Sequence, residues 1–422
     1  MLDLHLIRER PDFVKSELAK VGCPPEDVDA VIEADAQWRS LLREVEALRA
    51  RRTQLSREIP TLPANEREPR KKEVRELGAT LAELEARLQA AEQRLQDLLL
   101  LLPNLPDPSV PVGRDERDNQ VIRTVGVKPE YAFSPKPHWD FGPDLGIIDF
   151  ERGTKISGSR FYILQGAGAR LQRGLITWML DVHTREHGYY EIYPPYLVKK
   201  ECLYGAGQLP RFADNIYHDA EDDLWLIGTA EIPLTNLHRD EILDARLLPL
   251  SYVAYTACFR REKMSAGRDV RGIKRGHQFD KVEMYKITVP EQSAAALDQI
   301  VADAEDLLRR LGLFYRVVLI CTGDLGAVAA KKFDLEVWAP GCQEWLEVSS
   351  CSNCTDYQAR RANIRFRTEP GKKPQFVHTL NGSGLALPRL MIALLETYQE
   401  EDGSVRIPEV LQPYVGLERI TR

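Results

Sequence analysis

Phe259-Arg260-Arg261-Glu262 is followed by a stretch rich in glycine, lysine and arginine, Lys263 to Gly276, and then by His277-Gln-Phe279-Asp-Lys281-Val-Glu283. A guanidinium forks onto two phosphate oxygens at once, and an aromatic ring flanked by hydrogen-bonding groups can stack a base. A strand, loop and strand built from these residues has the parts of a nucleotide site. Near the C-terminus, Asn381-Gly-Ser383-Gly-Leu-Ala386-Leu-Pro388-Arg389 runs into the apolar segment Leu390 to Leu395. Small residues suited to close contact with a ligand thus lead into a helix that starts with a cation ready for phosphate. The chain has no Gly-x-x-x-x-Gly-Lys-Ser/Thr run and no Gly-x-Gly-x-x-Gly after a strand, so a nucleotide would be gripped without either of those loops.

The elements that must position these residues can be read from periodicity. Tyr189 to Tyr193, Ser251 to Tyr255 and Lys281 to Val289 are strand-like, and Ala294 to Leu311 is helical. Regular alternation of strand and helix is missing, which predicts an α+β fold with a mainly antiparallel sheet. An amphipathic helix over Leu175 to His187 precedes Tyr193-Pro-Pro-Tyr-Leu197, a pairing that could form a subunit interface.

Ahead of that region lies a heptad seam: Val74, Leu77, Leu81, Leu84, Leu88, Ala91, Leu95, Leu98 and Leu102 recur in steps of three and four. Trp38, Leu41, Val45, Leu48, Arg52, Leu55 and Ile59 repeat the pattern with one charged interruption. Pro60, Pro63 and Pro69 break a continuous helix between the two, so the segment from about 38 to 102 is expected to fold into an antiparallel hairpin. Arg49, Arg51, Arg52, Arg57, Arg67, Arg70, Lys71, Lys72 and Arg75 crowd its turn, whereas Glu83, Glu85, Glu92 and Asp97 lie towards its base, which makes the tip the phosphate-contacting end. Pro103, Pro106, Pro108 and Pro111 read as a linker, with a domain boundary near residue 105.

A formal net charge of -7 argues against indiscriminate binding of nucleic acid and confines any RNA site to a local patch. The seven cysteines are too unevenly spaced for a disulfide framework, which points to the cytoplasm. The start of the chain lacks a basic stretch followed by an apolar one, and Leu98 to Leu102 is too short to span a bilayer, so neither secretion nor membrane insertion is expected. Cys351-Ser-Asn-Cys354 has zinc-ligand spacing, with Cys342 nearby, but one such pair without a matching partner does not make a zinc site. The two thiols are read as neighbours of the acidic segment, and His277 as a residue that orients its loop.

The helix with its proline-bearing strand (about 175–197), the strand, loop and strand unit (about 251–289) and the glycine-rich run into a helix (about 378–396) resemble motifs 1, 2 and 3 of the class II aminoacyl-tRNA synthetases, in the same order. With Gly228-Thr229-Ala230-Glu231 and Glu347-Val348-Ser349-Ser350 they resemble the seryl-tRNA synthetases in particular. The helical arm is similar to that family's usual bacterial form, so the likeness covers nearly the whole chain. The general class II motif 3 has a third glycine and often an acidic residue where this chain has Ala386 and Pro388, and the seryl branch shows the same change.

The resemblance implies a tRNA-binding arm over residues 1–105 and a class II catalytic domain over 106–422. It implies ATP as co-substrate and Mg2+ as cofactor. Arg260 would hold the α-phosphate beside Arg261, with Glu262 near the adenine amino group, Phe279 stacking the base, Arg275 adding a phosphate contact and Arg389 reaching the γ-phosphate. Glu347 and Ser350 would bind magnesium, within an ATP-facing segment that includes Val348 and Ser349. Thr229, Ala230, Glu231, Glu283, Asn381 and Ser383 would line a serine pocket, and Arg260, Glu283, Glu347 and Arg389 would carry catalysis. The implied partners are L-serine, tRNA(Ser), with tRNA(Sec) left open as a second acceptor, and a second copy in a homodimer. In-line attack of the serine carboxylate on the α-phosphate needs orientation and charge neutralisation more than an acid or base. A site built around a hydroxyl rejects alanine by about 10⁴-fold, whereas excluding threonine's methyl by fit is worth only ~1–3 kcal/mol. Two other functions compete. A relative that charges a carrier protein would have little use for a basic-tipped arm, and a non-catalytic RNA-binding relative would be expected to lack Arg260, Glu262, Glu347 or Arg389.

Overall fold

The computed structural model describes residues 1–263 and 271–422. The chain divides into two compact units, Leu2–Leu105 and Pro106–Arg422 together with Met1.

In the first unit, α1 (Leu4–Glu9) and α2 (Pro11–Lys20) precede the long helices α3 (Pro25–Glu58) and α4 (Ala64–Leu101). The heptad stripes bury against each other. Leu41, Val45 and Leu55 of α3 and Leu81, Ala91 and Leu95 of α4 are buried, while the charged interruption Arg52 is exposed. α3 starts well before Trp38 because Val28, Val31 and Ala34 continue the apolar stripe. Pro60 lies in the short turn that reverses the chain, but α4 runs straight through Pro69, contrary to the expected break. Pro69 sits in the second turn of α4, where its missing N–H forfeits one bond to the carbonyl of Asn65, and that residue is exposed so that water can satisfy the oxygen.

The second unit is built on an eight-stranded sheet. Its strands are β1 (Gln120–Val125), β2 (Tyr190–Glu191), β3 (Leu250–Phe259), β4 (Gln278–Thr288), β5 (Tyr315–Leu319), β6 (Lys331–Ala339), β7 (Glu344–Asn353) and β8 (His378–Ala386). They lie in the order β1-β5-β6-β7-β8-β4-β3-β2, and every neighbouring pair is antiparallel except β2 with β3. Only Tyr190 and Glu191 of the expected strand 189–193 pair, since Pro194 and Pro195 cannot donate to a ladder beyond them.

Helices α5 (His138–Asp144), α6 (Ala167–Arg185), α7 (Glu231–Asn236), α8 (Ser293–Arg310) and α9 (Leu387–Thr397) complete the frame used here. α6 begins earlier than the expected Leu175, following Gly166 at a φ of 54°. Leu171, Leu175, Trp178, Met179 and Val182 make its buried stripe and join Leu297, Ile300 and Leu307 of α8 and Leu390, Met391 and Leu394 of α9 in one core. Val282 and Met284 of β4, Val348 of β7 and Leu380 of β8 face that core. No helix among the described residues is long and apolar enough to cross a membrane.

Candidate active site

Alternation along β4 sends Val282 and Met284 into the helix-covered core and leaves Lys281 and Glu283 for the opposite face. There a cavity of about 430 Å³ opens over the centre of the sheet. β8 supplies Asn381 and Ser383 to the cavity wall. The regular β4–β8 register that runs from Thr288 opposite His378 sets Ser383 directly opposite Glu283, and an irregularity just beyond it brings Lys281 opposite Ala386. The glycines between them serve the other face: a Cβ on Gly382 would come within 2.3 Å of Ile300 Cγ2, and one on Gly384 within 2.4 Å of His183 Nε2. Their small size is therefore required by close helix packing, not by the ligand approach that the sequence suggested.

β7 shows why two residues three apart share the cavity. Its register with β6 pairs Asp334 with Ser350, Leu335 with Ser349 and Glu336 with Glu347, so Val348 is an extra residue, a bulge. The bulge shifts the phase of alternation and puts Glu347 and Ser350 on the same face, lining the cavity. Val348 points into the core, and Ser349 Oγ donates to Ser383 O at 2.5 Å, so neither side chain faces the cavity as expected.

The cations converge from separate elements. Arg260 follows β3, its Nε donating to Gly228 O at 3.1 Å and its guanidinium 5.0 Å from the ring centre of Phe279. Arg275 donates to Glu262 Oε2 at 3.0 Å. Arg389, in the first turn of α9, donates to Glu347 O at 2.8 Å and lies 3.4 Å from its carboxylate. The helix N-terminus and the arginine both favour an anion at this point. Arg260, Glu262, Arg275, Phe279 and Arg389 all line the cavity, as do Lys274 and Lys332. Arg261 turns away: its Nε donates to Ile216 O at 3.0 Å and its guanidinium lies over Tyr217, as expected for the neighbour of Arg260 on an extended chain. The predicted loop from Lys263 to Gly276 falls partly on 264–270, which lie outside the described residues. His277 Nδ1 lies 3.0 Å from Arg260 O, a contact that orients backbone.

The deepest part is polar and small. Lys281 Nζ donates to Thr229 Oγ1 at 2.9 Å and is ion-paired with the fully buried Glu283. Asn381 Nδ2 donates to Glu283 Oε1 at 3.3 Å. Thr229 Oγ1 also accepts the backbone N–H of Glu231, opening α7. Ala230 is fully buried in a second apolar cluster, so its side chain cannot reach the cavity. Glu231 accepts from Gln358 Nε2 at 2.6 Å and has no ion pair among the described residues; burial and the charge of Glu283 push its carboxyl up to about 7. Burial would also raise Glu347, but the charges of Arg389, Lys332 and Arg260 outweigh it and hold this carboxyl below the usual range. Asp334, opposite Ser350, is pushed up to about 7 by burial and by Glu347, and its Oδ1 has no hydrogen-bond partner among the described residues.

Lys281, Lys274, Lys332 and Asp334 were given no role in the sequence. Lys281 could have been found, since it lies two residues before Glu283 on a strand and must share its face. Lys332 and Asp334 had no local signal. All seven cysteines are free; Cys351 faces the core and Cys354 the cavity, which separates the pair with zinc-like spacing.

In the helical unit the basic tip is partly neutralised. Between Arg49 and Glu76 nine basic side chains stand against five acidic ones. Arg49 pairs with Glu85, Arg51 and Arg70 with Glu73, Lys71 with Glu68 and Lys72 with Glu76, while Arg67 donates to the carbonyls of Leu62 and Pro60. Arg52, Arg57 and Arg75 have no ion pair among the described residues, which leaves them as the tip's available cations.

Residues 1–106 match the seryl-tRNA synthetase N-terminal domain, and residues 213–398 match the tRNA synthetase class II core domain (G, H, P, S and T). The serine–tRNA ligase of Roseiflexus sp. (strain RS-1) is 60% identical over 417 residues, covering 99% of this chain and 98% of that protein. That of Thermomicrobium roseum is 60% identical over 417 residues, covering 99% of this chain and 94% of its own. Among solved structures, seryl-tRNA synthetase from Pyrococcus horikoshii complexed with ATP is similar at a TM-score of 0.93 and 42% identity, over 100% of this chain and 99% of the other. Cytoplasmic serine–tRNA ligase from Naegleria fowleri in complex with AMP is similar at a TM-score of 0.87 and 33% identity, with 100% and 99% covered.

Proposed function

This chain belongs to the seryl-tRNA synthetase family of aminoacyl-tRNA ligases, and from that premise we propose that its cavity activates L-serine with ATP before the amino acid passes to the 3′ end of tRNA(Ser). The observation that carries this reading is the meeting, at one cavity, of Arg260, Arg275 and Arg389 with the carboxylate of Glu231 on its wall and that of buried Glu283 directly behind Lys281 and Asn381. The cations suit a triphosphate, and the carboxylates suit the ammonium and hydroxyl of a small amino acid.

The two carboxylates have different tasks. Glu283 is already balanced by Lys281, so it serves as a hydrogen-bond acceptor for the serine hydroxyl, with Asn381, Ser383 and Thr229 around it. Glu231 is met by the neutral amide of Gln358 and takes the substrate ammonium, which supplies the missing positive charge. The serine carboxylate is then aimed at the α-phosphate. Arg260 spreads the charge that builds on that phosphorus centre, while Arg275 and Arg389 hold the departing pyrophosphate. Phe279 and Glu262 take the adenine. Breaking of the α–β bond releases pyrophosphate and leaves seryl-adenylate, from which the tRNA hydroxyl takes the seryl group and AMP departs.

The oxygen donors of Glu347 and Ser350 fit Mg2+, and buried Asp334 beside them, paired with Lys332 through Oδ2 at 4.0 Å, keeps an Oδ1 without a hydrogen-bond partner among the described residues, a spare oxygen that a nearby cation would satisfy. When bound there, magnesium would neutralise triphosphate charge. The available cations of the arm tip support a role in holding tRNA, with tRNA(Sec) as a second acceptor for the same arm. Exposed Tyr190 and Tyr193, at 70% and 82%, support a homodimer face after α6. The free thiols fit a reducing cytoplasm.

Amino-acid-dependent exchange of pyrophosphate into ATP, measured across the twenty standard amino acids with magnesium and without tRNA, tests this reading. Exchange with serine alone is expected; no exchange by well-folded protein would overturn it.

A further inference from the structure

Behind the cavity, His138, Cys342 and Glu396 bring a ring nitrogen, a thiol and a carboxylate oxygen within 4.8 Å of one another, a set that a metal could take. The hydrogen bonds point elsewhere. The backbone N–H of Ile273 can only donate, and it donates to His138 Nε2 at 3.1 Å, so the neutral ring carries its proton on Nδ1. That proton faces Glu396 Oε1 at 2.9 Å. A metal on Nδ1 would move the proton to Nε2 and set two N–H groups against each other.

Glu396 is fully buried and collects further donors: the backbone N–H of His138, those of Gly341 and Cys342, and the Cys342 thiol. These contacts join three segments that build the triphosphate side of the cavity. Glu396 lies on α9, about two turns beyond Arg389. Gly341 and Cys342 form the turn between β6 and β7, just ahead of Glu347. Ile273, buried in the core, leads directly into Lys274 and Arg275. Gly272 rests against the imidazole so closely that a Cβ there would stand 1.9 Å from His138 Nε2, and its φ of 70° also favours glycine. Beside it, Arg271 and Lys274 lie 5.5 Å and 5.9 Å from the ring centre of Trp139, the residue after His138.

We propose that His138 and Glu396 are positioning residues for ATP: through Ile273 they set the place of Lys274 and Arg275, and through α9 and the β6–β7 turn they hold Arg389 and Glu347 in the same frame. The proposal deepens the reading above and rests on it. Neither residue touches the substrate; each acts through the cavity residues it holds.

The test is serine-dependent ATP–pyrophosphate exchange by the full chain and by His138→Asn, His138→Gln and Gly272→Ala, with KM measured separately for ATP and serine and thermal midpoints recorded alongside. Asparagine keeps a donor near the Nδ1 position for Glu396 but removes the acceptor for Ile273; glutamine can return an acceptor to the Nε2 position. Gly272→Ala presses on the same contact from the other side, from a partly exposed position and with the His138 side chain kept, and so decides the matter if His138→Asn does not fold. KM for ATP is expected to rise at least about tenfold in His138→Asn and Gly272→Ala, with KM for serine changed less than about twofold and His138→Gln recovering most of the loss. Unchanged KM for ATP in folded variants, or an equal rise for both substrates, would overturn the proposal. A parent protein that shows no serine-dependent exchange would instead overturn the functional reading, and this proposal with it.

Discussion

The helical arm and the catalytic unit solve opposite problems with their charges. In the arm, two helices bury a single apolar stripe, and the charged side chains sit outside it, where six of the nine tip cations are occupied by carboxylates or backbone carbonyls. Exposed pairs of this kind contribute little to stability, though each must open before its cation can meet a phosphate. In the catalytic unit, Lys281 and Glu283 are buried and Glu231 is partly so, and each charge must find a partner or shift its pKa. A surface of loosely held cations suits reversible capture of a polyanion, whereas a buried, fixed array suits chemistry that rewards preorganisation.

The contrast can be broken most sharply at Arg260. Arg260→Ala should lower serine-dependent pyrophosphate exchange by about 10³-fold, since a preorganised donor at a centre of growing charge is lost. If exchange fell only a few-fold, the buried array would not be the seat of chemistry.

Glu231 gives a smaller effect with a definite sign. Burial and the charge of Glu283 push its carboxyl up to about 7, so the neutral form gains as pH falls through that value and the charged form as it rises. A neutral carboxyl cannot balance the substrate ammonium, and kcat/KM for serine should fall about tenfold from pH 8 to pH 6. Glu231→Gln should be slow and flat over that range; a pH slope that survives the substitution would place the titration elsewhere.

The smallest effect belongs to the arm. Arg57→Ala should weaken tRNA binding a few-fold and reduce the salt dependence, the slope of log K against log salt, by about 0.7–0.9, with exchange unaltered. An equal effect from Arg49→Ala, whose side chain is paired with Glu85, would show that those surface pairs do not restrain the cations.

The arm was the more legible region because its contacts repeat along the chain: Leu81, Ala91 and Leu95 announce their burial by spacing alone. Pro69 is the exception, for a proline near a helix start costs too little to end it. The α+β class and the antiparallel sheet were also readable, from strand-like runs without regular helical alternation. Within the cavity, Arg260, Glu262, Phe279 and Arg389 stood out through residue type and order. The bulge at Val348 did not, although it is what places Glu347 beside Ser350 and turns Val348 and Ser349 away. Register between distant strands decides such matters, and no local pattern carries it. The same holds for Gly382 and Gly384, whose smallness answers to Ile300 and His183 on helices far away in the chain.

The most direct test of this division of labour is deletion of residues 40 to 95, followed by both half-reactions on the same preparation. The account predicts serine-dependent pyrophosphate exchange within a few-fold of the full chain and tRNA charging lower by about 100-fold or more. Normal charging by the deleted protein, or lost exchange in a catalytic unit that remains folded, would contradict it.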